Sequence, residues 1–240
     1  MELEATSESA QMAAWLPALL QTADPLFPTG AYAHSFGLEE LVRLDVVRNE
    51  ASLANFLILQ ILPQLERQEL PYLRFAHGAA SQPNGLSALL AIDDEINAWK
   101  LAAEARSASI QIGTRRITAL RTTTDHPLLV EFSEAVRTKK THGHHLCACA
   151  IQNVIQNCPL EAALIVYGYQ ALAGACTAAL KLIRIGQDGC QRALTQSIAL
   201  LPATVRRSLE IERDEAGCFS PLLEIASMRH ATAHERLFIS

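Results

Sequence analysis

No GxxxxGK[ST] loop, GxGxxG fingerprint or GxSxG elbow occurs among the 240 residues, so the chain offers no recognisable phosphate cradle and no serine nucleophile. Charge is scarce, at 19%, and it is not basic, with a net value of -5 and a pI near 5.9. Lysine and arginine gather only in short pairs, Arg115-Arg116, Lys139-Lys140 and Arg206-Arg207, which excludes a cationic surface of the kind that holds nucleic acid. The cysteines at 147, 149, 158, 176, 190 and 218 form no paired framework and are expected to be reduced. His234-Glu235 opens a zinc-protease pattern, but Phe238 stands where the second histidine must fall. Residues 1–10 lack both the basic start and the apolar core of a signal peptide and read as a disordered extension of a cytoplasmic protein.

What the chain does have is apolar residues, half of the total, at helical rather than alternating spacing. The fold class expected is all-α, a single-domain helical bundle of about ten helices around a central apolar helix of small residues. The first helix, near Gln11 to Gln21, has to stop close to Thr22, because Pro25 and Pro28 cannot continue it. Ser35 is the expected cap of a second helix carrying Phe36, Leu38, Leu41 and Val42, with Glu39 and Glu40 in its first turn. Asn49 caps the next, whose stripe is Leu53, Phe56, Leu57, Gln60 and Ile61; Pro63 is expected to kink or end it and Pro71 to start another.

Ser81 to Gly85 reads as a surface loop, and Asp93-Asp94-Glu95 as negative charge near the start of a long helix from Ile92 to Leu120. Its seam, with a repeat of about 3.5 residues, runs through Ile92, Ile96, Trp99, Ala103, Ile110, Gly113, Ile117 and Leu120, and Arg106 interrupts it. That arginine calls for an acid or another polar partner, and Gly113 for the close approach of another backbone. Ala162 to Leu180 is uncharged and long enough to span a membrane, but its tyrosines, glycines and Gln170 favour a core helix. Helices near Gln191 to Leu200, from Pro202 to about Arg213 and from Pro221 complete the bundle.

One segment has metal-ligand chemistry: His142, His144, His145, Cys147 and Cys149. Its spacing is not that of a zinc finger, and on a helix Cys147 and Cys149 point roughly 200° apart, so a polar loop entering a core helix is the favoured reading. His230 and His234 stand at i and i+4 and are expected to be a solvated pair.

The run Pro28-Thr29-Gly30-Ala31-Tyr32-Ala33-His34-Ser35-Phe36-Gly37-Leu38-Glu39 closely resembles the signature of the UreF family of urease accessory proteins. Four further blocks extend the resemblance in the family's order: Glu104-x-Arg106-x-x-Ser109-x-x-x-Gly113, Gly143-His144-His145, Arg184-Ile185-Gly186-Gln187 with Gln191-Arg192, and Ser227-Met228-Arg229-His230 with Arg236-Leu237-Phe238. Ala31 departs from a common glycine, and Ala231 from the acidic residue that usually follows the histidine.

The resemblance implies a helical bundle with no enzymatic activity and no cofactor. Such a protein dimerises and bridges UreD (UreH in some systems) to the GTPase UreG on apo-urease, regulating GTP use during nickel insertion. The alternative is a metallochaperone that itself holds nickel through the segment His142 to Cys149, with His144, His145, Cys147 and Cys149 as its ligands. Partner-binding residues carried over are Pro28, Gly30, Tyr32, His34, Ser35, Phe36, Gly37, Glu39, Arg106, Gln187, Met228, Arg229, His230, Arg236, Leu237 and Phe238. In this scheme residues 11–226 form the helical domain and residues 227–240 a tail that orders as it meets UreD.

Overall fold

The first helix, α1 (Ser7–Ala23), stops where the prolines require it to. The Thr22 hydroxyl donates back to the Ala18 carbonyl at 3.0 Å, and Asp24 Oδ1 accepts the Leu26 amide at 2.7 Å, closing an Asx turn. The structure, a computed structural model, describes residues 7–30, 35, 37–217, 220–230 and 237–238, and among these every regular element is helical. The short α2 (Leu38–Arg43) begins after Gly37, which is left-handed at φ 84°. Ser35, the expected cap, faces the Glu39 amide at only 3.5 Å, the outer limit of a hydrogen bond.

Asn49 caps the next helix as its sequence indicates, in a reciprocal box: the Ser52 amide donates to Asn49 Oδ1, and the Asn49 amide to Ser52 Oγ, each at 3.0 Å. That helix, α3, then runs unbroken over residues 50–80. Of the expectation that Pro63 kinks or ends it and Pro71 starts another, the ending at Pro63 and the new start at Pro71 are overturned. Two π turns explain why, Leu57–Ile61 and Leu65–Glu69, with the Leu62 amide bonded to the Leu57 carbonyl and the Leu70 amide to the Leu65 carbonyl. Each widened turn ends two residues before a proline and moves the preceding carbonyls away from the ring, which relieves the clash that breaks an ordinary helix.

The single helix expected from Ile92 to Leu120 is two, α4 (Leu86–Trp99) and α5 (Ala103–Arg121). Trp99 and Ala103, members of the apolar seam, sit exposed at the break. Arg106 closes it by donating from Nη1 to the Lys100 carbonyl at 2.8 Å, a cation at the C-terminal end of α4. Lys100 pairs with Glu69 of α3 at 2.8 Å, and that carboxylate also accepts the Tyr167 hydroxyl, so the break is tied to two other helices.

The remaining helices are α6 (Pro127–Arg137), α7 (His145–Ile155), α8 (Leu160–Leu182), α9 (Gln187–Ile198), α10 (Leu201–Ser208) and α11 (Pro221–His230). The expected reach to Arg213 stops short at Ser208. Packed among α3, α4 and α5, α7 is buried on every side from Leu146 to Asn153. The long α8 packs against α1, α2, α3, α9 and α10 and sends Leu164, Leu172, Ala175 and Ala179 into the core. It is the one described helix long and apolar enough to cross a membrane, and its buried face is that of a core helix.

Candidate functional site

Glu39 near the start of the chain and His230 near its end, both singled out by the sequence, meet in one corner, where α11 lies across α2 and the start of α5. Gly37 permits the crossing. A Cβ there would lie 3.2 Å from Ser227 Oγ and 3.3 Å from Ala226 Cβ, and its left-handed φ disfavours any other residue. On the inward face of α11, Leu223, Ala226 and His230 are buried.

His230 is not the solvated residue expected of it: it is 1% exposed. Its Nε2 stands 2.9 Å from Glu39 Oε2 and its Nδ1 2.8 Å from Glu104 Oε2, so α11 is clamped between α2 and α5. His234 lies outside the described residues. Glu39 also accepts the backbone amides of Leu237 at 2.7 Å and Phe238 at 3.1 Å, which folds the chain end back over α2. Phe238 is buried there beneath Lys181 Nζ, 5.5 Å from its ring centre. Burial pushes the Glu39 carboxyl upward, but the Leu237 amide, the His230 ring and the Phe238 amide together hold it below its ordinary value.

Beside this clasp, the buried Glu40 receives Arg43 through two hydrogen bonds of 2.7 Å and Arg229 Nε at 3.1 Å. Those Arg43 bonds, against the opposing effect of burial, hold its carboxyl low. Glu40 and Glu104 were not among the residues selected from sequence; the signal for Glu104 was its place at the head of the block that ends at Gly113. The outward face of α11 is apolar: Leu222 (40% exposed), Ile225 (53%) and Met228 (45%) stand at helical spacing, and Leu237 (63%) is exposed at the chain end. Tyr32, His34, Phe36 and Arg236 lie outside the described residues. Pro28 and Gly30 sit in the opening turn, where Gly30 (φ 74°) packs against the Arg115 guanidinium. Arg106 serves the α4–α5 break, and Gln187 lies exposed at the start of α9.

The histidine and cysteine segment has a different use. Asp93, fully buried on α4, accepts the Thr141 hydroxyl at 2.7 Å and the amides of His142, Gly143 and His144, each at 2.8 Å. It therefore anchors the start of α7 from another helix, where sequence placed it at the start of its own. Gly113 lets the segment in, because a Cβ there would lie 2.1 Å from the Gly143 carbonyl oxygen. The buried His144 ring spans Ser109 Oγ at 3.0 Å and Asn97 Oδ1 at 3.3 Å, and burial pushes it down to about 4.

His145 contacts Cys149 Sγ at 3.6 Å, while Cys147 Sγ lies on the other side of α7, 4.0 Å from the Leu89 carbonyl. Burial lowers the His145 ring and raises both thiols. Among the described residues no three His, Cys, Asp or Glu side chains are placed to share a metal ion. Of the four residues of the metallochaperone alternative, His145 and Cys149 are in contact, but the four do not converge on one point.

The UreF family model matches residues 47–198. Over 225 residues the chain is 32% identical to the urease accessory protein UreF of Actinobacillus pleuropneumoniae, covering 94% of this chain and 99% of that protein. It is equally similar, over the same shares, to UreF of Bacillus sp. (strain TB-90). UreF of Arthrobacter sp. (strain FB24) is 30% identical over 223 residues, covering 93% of this chain and 96% of its own. A match of this extent, joined to described elements that are all helical, places the chain in the UreF family of urease accessory proteins.

Proposed function

We propose that the chain is a non-catalytic scaffold of urease maturation, which dimerises in the cytoplasm and bridges UreD (UreH) to the GTPase UreG while nickel is inserted into apo-urease. The observation that carries this reading is the outward face of α11. Leu222, Ile225 and Met228 are left exposed on an element whose opposite face is fixed to the core, with Leu237 exposed at the chain end, and an ordered apolar stripe of this kind suits a protein partner better than solvent. UreD is the partner assigned to it.

The test is to replace Ile225 and Met228 with aspartate together and measure capture of UreD from the same source. Both side chains point away from the core, so helicity and melting temperature are expected to stay close to the parent while capture falls by at least tenfold, on the order of 1.4 kcal/mol. Capture at full strength would remove α11 from the interface. Truncation after Met228 is the poorer experiment, because it also deletes His230 and Phe238, which are buried.

A further inference from the structure

We infer that the Glu39–His230–Glu104 clasp is a proton-dependent positioning device: an imidazolium at His230 fixes α11 and the chain end in the arrangement that displays the apolar stripe. Its importance for assembly rests on the partner reading above. Ring nitrogens at 2.8 and 2.9 Å from two different carboxylates both have to donate, since a carboxylate only accepts. The neutral ring has one lone pair, which would then face a carboxylate oxygen from a ring that is itself buried.

The surrounding charges suit the cation. From α2 come Glu39 and Glu40, with Arg43 on Glu40; from α5 come Glu104 and Arg106, the latter directed to the Lys100 carbonyl. On α11 itself Arg229 is bound to Glu40, and Lys181 of α8 lies over Phe238. Because one carboxylate, that of Glu39, holds the ring and also the Leu237 and Phe238 amides, loss of the ring proton loosens the helix and the chain end together.

The experiment uses the full chain without partners. Hydrogen-exchange protection factors of α11 are followed across a pH series, with the ring nitrogens of His230 observed by ¹⁵N NMR. Both nitrogens are expected to be protonated wherever α11 is protected. Protection of α11 is expected to fall at least tenfold as the pH rises and the ring loses its proton, while α7 stays protected.

In Glu104→Gln the amide can donate to an unprotonated ring nitrogen, so the fall is expected to disappear. A neutral His230 ring in a protected α11, or the same pH dependence in Glu104→Gln, would overturn the inference. The two readings fail separately: exchange and ring protonation judge the clasp without UreD, whereas unchanged capture by the stripe variant judges only the partner.

Discussion

His144 shows how burial sets the chemistry of a single residue. Its ring is fully enclosed, engaged by Ser109 and Asn97, and pushed down to about 4. An unfolded histidine takes up its proton near 6.5, so the sign of the pH effect is fixed: between those two values the unfolded chain binds a proton that the folded chain refuses. The contribution of His144 is complete above about 6.5 and declines as the pH falls towards 4. In His144→Gln, which is expected to be less stable at neutral pH, the gap to the parent should narrow over that interval. Urea midpoints taken at successive pH values read it, and a constant gap would mean that the ring does not stay neutral in the fold.

The helices of this protein are held less by their own caps than by residues borrowed from elsewhere. Asn49 and Ser52 close a local box that is visible in the sequence because both partners lie within one turn. Asp93 anchors α7 across 48 to 51 positions, and no periodicity reveals a cap that belongs to another helix. Gly113 is the element that makes this possible, and its requirement was legible as a glycine on an apolar seam. Gly113→Ala would set a methyl group 2.1 Å from the Gly143 oxygen, with no flexible side chain to yield, so α5 and α7 must separate. A loss of about 1–3 kcal/mol or more is expected, read as a fall in melting temperature. A neutral outcome would show that the two backbones can part freely. The prolines of α3 were misread for a related reason: the rule that a proline ends a helix holds for an α turn, and at Pro63 and Pro71 the turn before each is π.

Over the whole molecule, apolar surface remains after the core is filled. On α8, Ile165, Tyr169 and Leu180 are exposed within an uncharged stretch, and on the adjoining α1 so are Leu16 and Leu20. This surface is where the dimer of the proposed function is expected to form. Sedimentation at micromolar concentration should give a dimer for the parent and a monomer for Tyr169→Glu, with the melting temperature of the isolated subunit little changed because the side chain is already half exposed. A parent that sediments as a monomer would remove dimerisation from the proposal, and a Tyr169→Glu dimer would move the interface elsewhere.

Taken alone, the sequence determined the helical class, the stop of α1, the Asn49 cap, the start of α11 at Pro221 and the family, because each rests on neighbours within a turn or on blocks of fixed spacing. It also marked Glu39 and His230 as partner residues, and Glu104 only as the head of a block. Only the tertiary structure decided that these three belong to one clasp, since they come together across 126 and 191 positions of chain. The same holds for the start of α7, where the backbone of the His144 segment bonds to Asp93 of α4. Sequence records which groups are able to bond; burial, which forces each polar atom to find a partner, decides with whom.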